Sequence, residues 1–188
     1  MARVPPGEGH LNLAQDSDAA SDAPLILTAR LPRDLHAWAT RLRDAHFPPE
    51  RNHLEAHVTL FHALPPSCRS ELCDLLAAIV RENAPVQGQI EGIMSLGRGT
   101  AIKLSSPGML DLRGRIADRF HGMLMPQDEH TPRLHVTVQN KVAPQEAKAL
   151  QAELAPQVEP RAFSFAGFAL YRYLGGPWGF IRDWSFRG

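Results

Sequence analysis

The chain has 188 residues, 44% of them apolar, with 20 basic and 20 acidic side chains and a formal net charge of zero. That length supports one domain or two small lobes sharing a core. Charge balance argues against a protein that coats long nucleic acid through many phosphates, because such surfaces are strongly basic. No apolar run reaches the roughly 18 residues needed to span a bilayer. The start lacks the apolar stretch of a secretory signal.

Residues 1–23 are rich in Pro, Gly, Asp, Ser and Ala and read as a disordered tail before a single domain over 24–188. Residues 25–31 (LILTARL) read as a buried strand closed by Pro32. The spacing of Leu35, Trp38, Ala39 and Leu42 predicts a helix over 34–45, ended by Pro48-Pro49. A strand follows over 56–63. Ser67 is placed as the N-cap of a helix running to about Asn83. Cys68 and Cys73, five apart in this region, point to different helix faces. No disulfide is expected, which fits a reducing cytoplasm.

Residues 86–96 read as a strand and Gly97-Arg98-Gly99 as a turn, after which the pattern starts again. A strand is predicted over 100–105 and a helix from Pro107, carrying Leu110, Leu112, Ile116, Ala117 and Phe120. A loop over 125–132 follows, in which Asp128-Glu129-His130 read as solvated. Next come a strand over 134–138, a helix over 144–154, one long strand over 161–173, the turn Gly175-Gly176-Pro177 and a last strand over 178–186. The order strand, helix, strand, helix, strand thus occurs twice. Two such units facing each other give a two-lobed α+β domain with a cleft between them.

The second strand of each unit carries a His-x-Thr: His57-Val58-Thr59 and His135-Val136-Thr137, their histidines 78 positions apart. In a strand, residues i and i+2 share a face. Each His and Thr therefore points one way, while Val58, Leu60, Val136 and Val138 point into a core. Two imidazoles near neutral pKa suit a reaction that removes a proton on one side of phosphorus and supplies one on the other, with no metal. The two hydroxyls suit the non-bridging phosphoryl oxygens. A zinc site built from His53, His57 and His62 requires a helix where Val58-Thr59-Leu60-Phe61 argues strand.

The strings HVTLFHAL (57–64) and HVTVQNKV (135–142) resemble the paired H-x-T/S-x motifs of the 2H phosphoesterase superfamily, and within it the 2′-5′ RNA ligase-like, or RNA 2′,3′-cyclic phosphodiesterase, family. The resemblance implies a bilobal, pseudo-two-fold fold of two antiparallel-sheet lobes flanked by helices around a central cleft. It implies no cofactor and no metal. The substrate it implies is an RNA terminus with a 2′,3′-cyclic phosphate, opened to a 2′-phosphate, or a 2′-5′ linkage; a small 2′-5′-linked or cyclic nucleotide is the rival within the same class. His57 and His135 become the acid/base pair and Thr59 and Thr137 the phosphate ligands. The strand period adds three candidate substrate contacts. Phe61 continues the face of His57, where it would wall the cleft or, equally, pack in the core; Gln139 and Lys141 continue the face of His135 if the strand runs that far, Lys141 then serving as a phosphate contact or, equally, facing solvent; Tyr171 and Tyr173 share a face opposite Arg172, and alternation leaves open which set looks into the cleft. Trp178 and Trp184 are read as core or hairpin residues. A cytoplasmic monomer is expected. A non-catalytic RNA-binding module is the rival of another class, disfavoured by the neutral charge and the matched histidines.

Overall fold

A computed structural model describes residues 22–188. The tail expected over 1–23 lies outside the described residues except for its last two. In chain order the elements are β1 (Leu25–Arg30), α1 (Arg33–His46), β2 (Val58–Leu64), α2 (Arg69–Glu82), β3 (Val86–Ser95), β4 (Gly99–Ser105), α3 (Pro107–Arg119), α4 (Pro126–Glu129), β5 (His135–Asn140), α5 (Pro144–Leu154), β6 (Arg161–Phe165), β7 (Gly167–Tyr173) and β8 (Trp178–Ser185). Ser67 is not the cap of α2. It lies in a 3-10 turn, Pro66–Cys68, that feeds the helix without a side-chain cap.

Among the described residues the strands form two antiparallel sheets, ordered β2-β1-β7-β8 and β5-β4-β3-β6. The two sequence repeats are interlocked rather than separate. The third strand of the first repeat, β3, pairs with β4 of the second, while β7 returns to pair with β1. The single strand expected over 161–173 is in fact two strands in different sheets. Gly167 is the joint: its φ is +151°, and the Ala166 amide donates to Arg30 O at 2.8 Å as the chain changes sheets. A Cβ on Gly167 would lie 1.8 Å from Trp184 O, a backbone atom that cannot swing aside. Gly167→Ala is therefore expected to destabilise the protein by about 2 kcal/mol or more. Thermal unfolding checks this; an unchanged Tm would mean that the strand crossing is not fixed there.

This interlock leaves β2 and β5 as edge strands that approach each other where the sheets meet. Behind them, one cluster of buried side chains joins both halves. It contains Val58, Leu60 and Leu27 from the first sheet, Val136, Val138 and Ile102 from the second, and Leu72, Leu76, Ile116 and Leu150 from the helices. Helix α1 packs on β5, α5 on β3 and β4, α2 on β8, and α4 on β2. A helix that follows a strand of one sheet thus supports the motif strand of the other.

Candidate active site

The two His-x-Thr segments occupy matching places on the two edge strands, and each is followed by a β-bulge. Thr28 is opposite Thr59, but the next partner, Leu27, is opposite Phe61, so Leu60 is the extra residue. Ala101 is opposite Thr137, but Thr100 is opposite Gln139, so Val138 is the extra residue. A bulge reverses the side-chain alternation beyond it. This is why Phe61 and Gln139 leave the faces that strict alternation assigns them. Phe61 does not continue the face of His57; it is fully buried, with the Arg113 guanidinium 4.4 Å above its ring. Gln139 turns to the helix side, where Thr100 Oγ1 donates to its Oε1 at 3.3 Å. Lys141 lies beyond the end of β5, exposed, at φ +60° in the turn, and so is not on the strand face at all.

His57 and His135 are held in the same way. The Nδ1 of His57 lies 2.8 Å from Glu55 O, and the Nδ1 of His135 lies 2.7 Å from Arg133 O, each carbonyl two residues upstream. A carbonyl only accepts, so each Nδ1 carries the hydrogen and donates it. Nε2 is then the free nitrogen on both rings, able to take a proton or, when protonated, to give one.

His57 keeps some exposed surface, yet the groups around it hold it neutral. Its pKa is lowered to about 4. Burial is the main cause, opposed by the bond to Glu55 O and reinforced by the positive charge of Arg43 and the neighbouring His135 and His62. Part of that burial is Trp178, whose ring centroid lies 4.5 Å from that of His57. Trp178→Ala readmits water, so the NMR titration midpoint of His57 is expected to rise from about 4 toward the 6.5 of an ordinary histidine. An unmoved midpoint would assign the desolvation to other neighbours.

A cavity of about 250 Å3 opens beside His57, lined among others by Arg30, Arg33, Tyr171, Phe180 and Asp183. Tyr171 rather than Arg172 therefore faces the site, its ring tilted against Trp178 at 5.6 Å and edge-to-face with Phe180 at 5.8 Å. Each motif also has a paired cation beside it. Arg30 Nη1 lies 2.9 Å from Asp183 Oδ2 in the first sheet. Lys103, directly opposite His135, has its Nζ 2.7 Å from Glu91 Oε2 in the second. Sequence reasoning missed Trp178, Phe180, Arg30 and Lys103. The two cations had no sequence signal of their own, since each sits on the strand that pairs with a motif strand, and that pairing is tertiary. His53 and His130 are exposed. Asp128 is not in a solvated loop: it is 2% exposed, on α4, with its carboxylate bound to β2. Among the described residues no three His, Cys, Asp or Glu side chains are grouped to hold a metal ion.

Two four-stranded antiparallel sheets, interlocked and flanked by helices, define the bilobal α+β fold of the 2H phosphoesterases. Residues 31–177 match the model of the 2′-5′ RNA ligase superfamily, and the chain belongs to that superfamily as an enzyme of the 2H phosphoesterase type. No curated protein matches the sequence. Among solved structures, TT0787 of Thermus thermophilus is similar at TM-score 0.61 and 19% identity, over 88% of this chain and 98% of that one. A structure described as a phosphoesterase is similar at TM-score 0.55 and 19% identity, over 89% and 99%. E. coli LigT complexed with 3′-AMP is similar at TM-score 0.56 and 17% identity, also over 89% and 99%. These likenesses describe the fold. Among the described residues no helix is long and apolar enough to cross a membrane.

Proposed function

We propose that this enzyme opens 2′,3′-cyclic phosphates at RNA ends, leaving a 2′-phosphate, without a metal ion, and that the same residues perform reversible 2′-5′ joining, in which a 5′-hydroxyl takes the place of water. One observation carries the reading. Two imidazoles on adjoining edge strands each fix Nδ1–H on a backbone carbonyl and so leave Nε2 as the working nitrogen. In hydrolysis a water oxygen attacks phosphorus and the P–O3′ bond breaks. One Nε2 takes the proton lost by water; the other, protonated, gives one to O3′. His57, held neutral, is suited to enter as the base, which leaves His135 as the acid. Joining keeps these roles with a 5′-hydroxyl in place of water, and cleavage of the 2′-5′ bond back to the cyclic phosphate exchanges them. Thr59 and Thr137 share the faces of the two histidines, where their hydroxyls can donate to the non-bridging oxygens as charge grows there.

Nucleotide recognition is supported by the cavity beside His57. Tyr171 and Phe180 offer ring faces for a base, and Arg30 and Arg33 offer positive charge for phosphate. LigT, which shares the fold, has been crystallised with 3′-AMP and with ATP. The small cavity and the zero net charge favour a terminus or a small 2′-5′-linked or cyclic nucleotide over a long duplex.

The test is a short RNA bearing a terminal 2′,3′-cyclic phosphate, incubated with the protein in EDTA. Formation of the 2′-phosphate is the expected result. A 3′-phosphate product reverses the bond that breaks, and activity that appears only on adding zinc overturns the metal-free chemistry.

A further inference from the structure

Helices α1 and α3 each carry an arginine where their apolar stripes call for an aliphatic residue. In α1 the buried positions are Leu35, Ala39 and Arg43; in α3 they are Met109, Leu112, Arg113 and Ile116. Both arginines are 4% exposed. Among the described residues neither has a carboxylate oxygen within 4.0 Å. Burial lowers both pKa values, that of Arg43 to about 10, so both remain cationic at neutral pH. A buried cation without an ion pair is costly, and fixed hydrogen bonds must offset that cost.

Those bonds run across the two halves of the molecule. Arg43 Nη1 donates to Thr137 O at 2.9 Å, inside the second motif. Its Nε donates to Asn52 Oδ1 and to Leu54 O, both at 2.8 Å, on the segment that leads to Glu55 and His57. Arg113, from the second repeat, answers in the opposite sense. Its Nε reaches Leu60 O at 3.5 Å, at the bulge of the first motif, and its Nη2 donates to Asp128 O. Each guanidinium also lies over a phenylalanine ring, Phe47 at 3.9 Å and Phe61 at 4.4 Å.

We infer that Arg43 and Arg113 are positioning residues, a reciprocal clamp in which the helix of each repeat grips the bulged motif strand of the other and so sets the spacing between His57 and His135. This rests on the two-histidine reading above. The clamp solves a problem that the topology creates. Both motifs lie on edge strands, and among the described residues no ladder of backbone hydrogen bonds joins one sheet to the other across their junction. Without cross-links the two Nε2 atoms would keep their separation only through side-chain packing. A misplacement of about 1 Å costs an enzyme on the order of 100-fold in rate. Lysine cannot substitute, because a single ammonium lacks the planar fork that holds two backbone segments at once.

The two halves of the clamp differ in charge effect, which makes the proposal separable from a general loss of packing. Around His57 stand Arg43 from α1, His62 from its own strand and His135 from β5, with Glu55 and His36 paired nearby at 3.5 Å. Of the two clamp residues, only Arg43 acts on the charge of His57. The experiment compares wild type with Arg43→Met, Arg43→Lys, Arg113→Met and Arg113→Lys, each checked for folding by circular dichroism. It reads kcat and KM on the cyclic-phosphate substrate and the His57 titration by NMR. The expected result is a fall in kcat of about 100-fold in all four, with KM changed less than about threefold. His57 should titrate at higher pH in Arg43→Met and at the wild-type pH in Arg43→Lys and both Arg113 variants. Wild-type kcat in either lysine variant overturns the need for the fork. An unmoved His57 midpoint in Arg43→Met overturns the charge role. If a methionine variant does not fold, the lysine variant at the same position decides the fork. If wild type turns over none of the substrate, the functional reading fails and the clamp is judged without it, by distance measurement between spin labels on exposed sites of the two lobes. A distribution as narrow in Arg113→Lys and Arg43→Lys as in wild type overturns the clamp.

Discussion

Replacing either His57 or His135 by alanine is expected to lower kcat for cyclic-phosphate opening by about 1,000-fold or more, with KM changed only a few-fold. A positioned general acid or base contributes on the order of 100- to 10,000-fold, and here one proton leaves the attacking oxygen as another reaches the leaving oxygen. Neither alanine disturbs the aromatic wall of Tyr171 and Phe180 or the paired cations Arg30 and Lys103, so binding should survive. The double variant is the sharper measurement. Residues that work as one unit lose most of their effect when the first is removed, so the double variant should be within about tenfold of the worse single. Fully multiplicative losses would mean that the histidines serve separate steps. A protein that only bound RNA would show no turnover in the wild type from which to lose anything. The pH profile carries a sign as well. His57 acts as base only when neutral, and its pKa is about 4, so the acid limb of kcat/KM should fall well below the 6.5 of an ordinary histidine. An acid limb near that ordinary value would pass the role of base to the other ring.

Much of this site is legible in the chain because alternation is a local property. His57, Thr59, His135 and Thr137 mark one face of each motif strand, and Val58, Leu60, Val136 and Val138, all at most 1% exposed, mark the other. Alternation fails one residue later, at the bulges, and nothing in the sequence announces it. Leu60, Phe61 and Val138 are apolar, so a core contact on either face fits them equally well. Alternation therefore leaves Phe61 open between cleft and core, and the bulge puts it in the core. The same limit split the strand expected over 161–173. The run RAFSFAGFALYRY has strand character throughout, and only tertiary contact shows that Gly167 is where the chain changes sheets.

Charge was the second blind spot. Arginines on helices are usually solvated, and the partners that bury Arg43 and Arg113 are backbone carbonyls far away in sequence, which no motif records. The visible signal was positional, a guanidinium on the stripe that periodicity assigns to the core. Trp178 is the hairpin residue that its position after a turn suggests, opposite Tyr173, but its tilted contact with the His57 ring is a tertiary one that the pattern does not record. The motif tells which atoms react, while the residues that tune and align them are set by topology.

Asp128→Ala is expected to destabilise the protein by about 3 kcal/mol or more, equivalent to roughly 6–12 °C in Tm for a chain of this size. The carboxylate is 2% exposed and accepts from the His62 amide with both oxygens at 2.9 Å, from the Ala63 amide at 2.9 Å and from His62 Nδ1 at 3.0 Å. These amides lie on the outer edge of β2, just past its bulge, where no neighbouring strand serves them. Alanine would leave them without an acceptor at a part-buried edge and empty the buried place of the carboxylate. Asp128→Asn should recover little, because its NH2 faces the donors it needs to accept from. Burial pushes the carboxyl upward, but the bonds from His62 and Ala63 together outweigh it and hold the group below the usual carboxylate range. A carboxylate with a depressed folded pKa contributes stability that is present above the unfolded value near 4 and is lost as pH falls through the folded value. Wild type should therefore lose stability on acidification through that window, and Asp128→Asn should lose less there. Urea unfolding at pH 7 and pH 3 checks both parts. Equal acid sensitivity in the two proteins would place the titrating group elsewhere, and a Tm within about 1 °C of wild type for Asp128→Ala would show that β2 holds its bulge, and His57 its place, without the α4 anchor.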